Sequence, residues 1–124
     1  MGEADIVFKK AIETLNDAEF SFAHERYNIS INRSYYAVFY AAKALLLNKD
    51  VSTKTHKGLI HQFGLEYVIN DKFDEKIAKK LSGLEEDRNK VDYEFDFDFA
   101  EKMKAKINLE DAKSFIEECR KFIE

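Results

Sequence analysis

Proline is absent from these 124 residues and glycine occurs only four times, so the chain has little with which to break a helix or turn tightly. A single cysteine, Cys119, excludes an internal disulfide and a cysteine-based zinc site. No apolar run approaches the roughly 20 residues that span a bilayer. The opening MGEADIVFKK lacks a signal-peptide pattern, and Ile6 stands where a myristoylation motif needs Ser or Thr. Positive charge is not in excess either. Twenty Lys and Arg against 24 Asp and Glu leave a formal charge of −4, which argues against a generally basic nucleic-acid binder and leaves room for a local basic cleft. The expectation is a cytoplasmic protein of one domain, without a membrane partner.

What is present is helical periodicity. Hydrophobic residues make up 45% and charged residues 35%, enough for a real core under a solvated surface. Ala4, Phe8, Ala11, Leu15, Ala18 and Phe22 recur at steps of three and four, an amphipathic helix from about Ala4 to His24. After ERYN, a second helix is expected from near Ile29 to about Asn48. It is apolar or aromatic nearly all round from Ser34 to Leu47, with Lys43 the exception, as suits a central helix covered by neighbours. Ser52, Thr53 and Thr55 offer N-caps for a third helix with Leu59, Ile60, Phe63, Tyr67 and Val68 on one face. Asp74 caps a fourth, whose stripe runs Ile77, Leu81, Leu84, Arg88, Val91 and Phe95. The last carries Ala105, Leu109, Ala112, Phe115, Ile116, Cys119 and Phe122. The fold class is all-α, an antiparallel bundle of about five helices.

The stretch DYEFDFDF, from Asp92 to Phe99, alternates with a period of two. A lone strand has no partner in a helical bundle, so an extended connector from about Asp92 is expected, pinning Phe95, Phe97 and Phe99 on the bundle. As a calcium loop begun at Asp92 it would put Phe97 where an EF-hand needs glycine and Met103 where it needs glutamate. His56 and His61, five apart, do not make a helical zinc pair. No metal and no cofactor are expected.

Arg88 is the anomaly, because a guanidinium in an apolar stripe cannot shed its charge. Two readings fit the spacing. Arg88 can close an intrahelical pair with Asp92, four residues on, or with Glu85, three back, while Asn89 and Tyr93 form a second polar pair beside it. Alternatively the stripe faces a cleft in which the arginine meets phosphate or a base. Asn32, Tyr36 and Tyr40 on the second helix, with Arg33 beside Asn32, would line it; tyrosines usually pack, and they also stack bases. His56 faces inward at the start of the third helix, where a satisfied core histidine is commoner than a catalyst. The apolar second helix has more surface than one layer covers, which suggests a homodimer built on the second and fourth helices.

Three stretches together carry a resemblance: NRSYYAVFYAAKALL, THKGLIHQFG and DRNKVDY. The chain, from about Ala4 to Phe122, resembles the HEPN domain (higher eukaryotes and prokaryotes nucleotide-binding), and within it a prokaryotic group of small stand-alone proteins. The resemblance implies a helical bundle, commonly dimeric, whose motif arginine lies in a cleft at or near the dimer interface. It also implies a minimal nucleotidyltransferase as partner in a toxin–antitoxin pair. Active toxins of the family cleave RNA without metal, using an arginine followed four to six residues later by a histidine. One branch has a tyrosine two residues beyond that histidine, which the partner modifies. Here the arginine matches Arg88 and the following polar residue matches Asn89, but the histidine position falls on Tyr93 and the tyrosine position on Phe95. No histidine follows His61, so the group expected to move a proton is missing from its place.

The reading is a protein that binds a nucleotide or RNA phosphate through Arg88, as accessory partner of a nucleotidyltransferase. Asn89 and Asp92 would orient the phosphate or a ribose, with Tyr93 and Tyr36 bordering the base. The alternatives are a divergent RNA-cleaving toxin using Arg88 with Tyr93 or with His56, and a structural dimer in which Arg88 and Asp92 only close the interface.

Overall fold

The computed structural model describes residues 2–93 and 101–123. Five α-helices run as α1 (Glu3–Ala23), α2 (Tyr27–Leu47), α3 (His56–Phe63), α4 (Glu75–Tyr93) and α5 (Glu101–Cys119), and no strand occurs among the described residues. The expected caps form. Thr55 Oγ1 accepts the Gly58 N–H at 2.9 Å, and Asp74 Oδ1 accepts the Ile77 N–H at 2.9 Å. Three boundaries differ from expectation. α2 begins at Tyr27, about two residues early. α3 passes at Gly64 into a π-helix, Gly64–Ile69, which places Tyr67 under the end of α2 and which the steps of three and four did not signal. α4 continues through Asp92 to Tyr93 where a connector was expected; the remainder of that connector, with Phe95, Phe97 and Phe99, lies outside the described residues.

α1 and α2 form an antiparallel hairpin, locked where buried Ser30 Oγ donates to the Ala18 carbonyl at 2.9 Å. Alanines at Ala11, Ala18, Ala37, Ala41 and Ala44 are fully buried, and their small side chains let the helices approach closely. α5 runs antiparallel to α1, with Lys113 3.1 Å from Glu19 and the Arg120 guanidinium over the Phe8 ring. It is antiparallel to α4 as well, where Lys80 meets Asp111 at 2.7 Å and Lys104 meets Asp87 at 3.6 Å. At the far end Phe63, Tyr67, Phe73, Phe115 and Phe122 pack ring against ring. There the Lys49 N–H turns to the Leu46 carbonyl, and the Tyr67 hydroxyl donates to the Leu45 carbonyl in its stead. Burial, with Asp71 adding, pushes the Tyr67 phenol up to about 12, so it stays a donor.

Within one chain α2 is covered by α1, α3, α4 and α5, and Val38, Ala42, Leu45 and Leu46 are fully buried. Burial of α2 therefore does not by itself call for a second copy, contrary to the argument from its greasy surface. What stays half-buried on α2 is polar or aromatic except for Leu47, and includes Asn32, Arg33, Tyr36, Phe39 and Tyr40.

Scarce glycine has a structural consequence at the helix ends. α1 closes with the Arg26 N–H on the Ser21 carbonyl and Glu25 in the left-handed region at φ 61°; α2 closes in the same way around Asp50 at φ 58°. Lys72, after the π-helix, takes φ 62°, while no glycine takes a positive φ. An L-residue pays about 1–2 kcal/mol there that glycine does not. Glu25 is exposed, so its side chain offers little in return. Glu25→Gly should therefore raise the unfolding free energy by about 0.5–1 kcal/mol after glycine's extra chain entropy is allowed for. Urea denaturation measures it, and a loss of stability would refute the account.

Candidate functional site

The stripe of α4 places Arg88 where the sequence puts it, on the seam with α2, and only 8% of the residue is exposed. Leu84 and Leu81, one and two turns earlier, are buried in the same seam. The guanidinium lies 5.1 Å from the Tyr35 ring centroid and 5.6 Å from that of Tyr36, within cation–π range of both. Its NH1 is 3.6 Å from Asp92 Oδ2, so the intrahelical pair inferred from spacing exists. Its NH2 reaches 3.4 Å from Nδ1 of His56, which arrives from a different helix.

His56 is the first residue of α3, fixed by the Thr55 cap. That cap needs Gly58, because a Cβ there would stand 2.9 Å from Thr55 Oγ1. The imidazole stacks on Phe39 at 4.7 Å, with Tyr35 and Tyr36 on its other sides. Its Nδ1 is 2.6 Å from the Tyr35 hydroxyl and 3.6 Å from Glu85 Oε2. Burial first, and then the Glu85 carboxylate, push the Tyr35 phenol far above its ordinary range, so it remains a donor. Arginine has only donors. Two donors directed at one nitrogen make Nδ1 an acceptor, and the neutral ring then carries its proton on Nε2. Burial, followed by the Arg88 charge, lowers the His56 pKa, with Glu85 opposing.

Asn32 joins the helices. Its Nδ2 donates to both oxygens of Asp92 at 3.1 and 3.3 Å, and its Oδ1 accepts from Arg33 Nε and NH2 at 2.9 and 2.7 Å. Arg33 lies over the same Tyr36 ring, 5.1 Å from its centroid. A continuous polar chain therefore runs Arg33–Asn32–Asp92–Arg88.

Of the residues singled out in the sequence, Arg88, Asp92, Asn32, Tyr36 and His56 come together. Asn89 is exposed on α4, and the side chain of Tyr93 lies outside the described residues. Sequence reasoning missed Tyr35 as the donor to His56, Glu85 as the carboxylate facing His56, and Arg33 as a second cation on Tyr36. Arg33, Tyr36 and Tyr40 follow at steps of three and four, which was the available signal for a shared face. Among the described residues no three His, Cys, Asp or Glu side chains form a metal-ligating group, and no helix is long and apolar enough to cross a membrane.

The arrangement fixes a pH dependence. A histidine whose folded pKa is depressed contributes stability that is present above its unfolded value of about 6.5 and is lost as pH falls toward the folded value. In Arg88→Met the repulsion by Arg88 disappears while Glu85 remains. The His56 titration followed by NMR should then move to higher pH, and the drop in melting temperature between pH 7.5 and pH 5 should shrink. An unchanged His56 titration would refute the Arg88–His56 coupling.

The HEPN domain profile matches residues 4–124. A UPF0332 protein of Thermotoga maritima is 34% identical over 116 residues, which cover 94% of this chain and 87% of the relative. A toxin candidate of Methanocaldococcus jannaschii is 34% identical over 123 residues, 98% of this chain and 84% of the relative. A UPF0332 protein of Archaeoglobus fulgidus is 31% identical over 123 residues, 97% and 94% respectively. Relatives of this similarity along nearly the whole length, together with the five-helix bundle and the profile match, establish that the chain belongs to the HEPN domain family.

Proposed function

We propose that this chain binds the phosphate of a nucleotide or of RNA at Arg88 and works as the accessory partner of a separate minimal nucleotidyltransferase, in a toxin–antitoxin setting. The observation that carries the reading is the placement of Arg88. A guanidinium 8% exposed in an otherwise apolar stripe is a poor choice for stability, since an apolar side chain of similar length would fit without desolvating a charge. Rings on two sides and a carboxylate on a third hold it in one orientation, which suits a planar donor meant for an anion. The neutral imidazole adds an Nε2–H donor beside it. Asp92, tied to Asn32 and Arg88, serves to orient the arginine and can accept from a ribose hydroxyl, while Tyr36 borders the base. Asn89 and Tyr93 flank the site on α4. Two of the relatives, both from Methanocaldococcus jannaschii, carry names that mark them as toxin candidates, which supports the toxin–antitoxin setting.

Arg88→Met tests this directly. The variant should melt at the wild-type temperature or higher. It should bind a fluorescein-labelled single-stranded RNA at least tenfold more weakly in anisotropy titrations, as the loss of a charge-assisted contact of about 1.5–3 kcal/mol requires. A variant that melts much lower and binds no differently would make Arg88 purely structural. A second reading, metal-independent RNA cleavage, gains from the approach of His56 to Arg88. It would require the imidazole to release Nδ1 from Tyr35 and change its proton. Cleavage of RNA in EDTA that vanishes in both Arg88→Met and His56→Ala would replace the accessory reading with that one.

A further inference from the structure

Glu85 and His56 face each other without a hydrogen bond. The Glu85 side chain, 19% exposed, sets Oε2 3.6 Å from Nδ1 of His56. In the neutral ring that nitrogen is an acceptor, and a carboxylate is an acceptor too. The Tyr35 hydroxyl at 2.6 Å and Arg88 NH2 at 3.4 Å meanwhile aim donors at the same nitrogen. A proton on Nδ1 would invert all three relations. Both donors would then oppose it, and the carboxylate would become its charge-assisted acceptor. Partners for either protonation state therefore stand around one atom. From α2 the ring is faced by Tyr35, Tyr36 and Phe39, and from α4 by Arg88 and Glu85. Its own helix adds the N-terminal amides of α3, which disfavour positive charge as Arg88 does. Glu85 alone of these groups favours it.

We infer that His56 and Glu85 couple the binding of an anion at Arg88 to the uptake of a proton. As the anion engages the guanidinium, Nδ1 takes a proton from solvent, stops accepting from Tyr35 and Arg88, and donates to Glu85. This rests on the reading of Arg88 as a phosphate ligand and adds to it how the site is regulated. Burial and then the Arg88 charge hold the free ring neutral, with Glu85 opposing. A phosphate on Arg88 offsets the repulsion by the guanidinium and leaves the attraction by Glu85 in place. Tyr35 keeps its own proton throughout, because burial and Glu85 hold its phenol far above neutrality. Nε2 is protonated in both states, so the ring offers the anion a donor either way. At higher pH the ring stays neutral and the anion is held without the extra proton. Linkage makes the effect reciprocal: acid tightens the anion by the factor by which the anion favours the proton. Glu85 is thus a positioning residue that acts through His56.

The test is calorimetric titration of the full chain with hexauridylate, an RNA whose phosphodiesters do not titrate near neutrality, in buffers of different ionisation heat. The buffer dependence of the heat counts protons. Near pH 6.5, the ordinary histidine value, wild type should take up about half a proton per RNA, and close to none at pH 8. Glu85→Gln keeps the shape and removes the charge. It should cut the uptake by about half or more, which a packing role for Glu85 would not do. His56→Gln should abolish it. In the wild type itself, NMR should show the His56 titration moving to higher pH when hexauridylate is added, whatever the variants' folding. Binding without uptake at pH 6.5 would overturn the coupling and leave the Arg88 reading standing. So would uptake that persists in His56→Gln or is unchanged in Glu85→Gln. A wild type that binds no hexauridylate at either pH would overturn the coupling and the Arg88 reading together.

Discussion

Placing a guanidinium in the seam between α2 and α4 constrains everything around it. Arginine cannot neutralise itself when desolvated, so the walls must supply what water would have supplied. They do so with unlike groups, among them two tyrosine faces, the Asp92 carboxylate and an imidazole nitrogen. Each of these is in turn constrained. Asp92 is held by Asn32, and the Tyr35 hydroxyl has turned to His56. His56 must be neutral to accept, and Arg88 itself works against its protonation. The cluster is coupled: the charge of one member sets the protonation of the next, and removing the arginine changes the histidine.

Such a cluster needs helices delivered at fixed heights, and the chain does this almost without glycine or proline. Caps from Thr55 and Asp74 start α3 and α4 at defined residues, so His56 and Arg88 meet. The ends are closed at greater expense. Glu25, Asp50 and Lys72 accept left-handed backbone that glycine would take freely. The π-helix after α3 sets Tyr67 under the last turn of α2, and Lys49 reinforces the join by donating to the Glu66 carbonyl and pairing with Asp71. That end of the bundle is aromatic, whereas the Arg88 end is polar.

Much of this was legible in the sequence, and the failures have a common cause. Arg88 stands out because one helix repeats apolar residues at steps of three and four and the arginine breaks the pattern; Asp92 follows from the same periodicity. Caps are local too, which is why Asp74 could be named and the cap of α3 narrowed to Ser52, Thr53 or Thr55, of which Thr55 forms it. The contacts that were missed cross between helices. Nothing in the spacing of Tyr35, Glu85 and His56 says that they share one nitrogen, because that depends on the relative height and rotation of three helices. The same holds for Lys10 of α1, whose ammonium lies 4.7 Å from the Tyr40 ring centroid. The greasy all-round pattern of α2 correctly gave a central helix, yet it overstated the apolar surface left for a second copy, since close-packed alanines let four neighbours cover it. Left-handed ends at Glu25 and Lys72 run against residue preference, so no propensity argument would find them.

The histidine raises the last question. The family motif puts an imidazole four to six residues after the arginine, and this chain has Tyr93 there. An imidazole nevertheless reaches Arg88, from α3 rather than α4. Equivalent position would not mean equivalent chemistry. A base must present a free nitrogen to the substrate, and here the unprotonated nitrogen, Nδ1, is occupied by Tyr35 and Arg88. Nε2 carries the proton, so on the proposed reading His56 would meet an anion as a hydrogen-bond donor beside a guanidinium. On the proposed reading, a neutral ring whose Nδ1 accepts from the Tyr35 hydroxyl would hold a phosphate rather than cleave its ester.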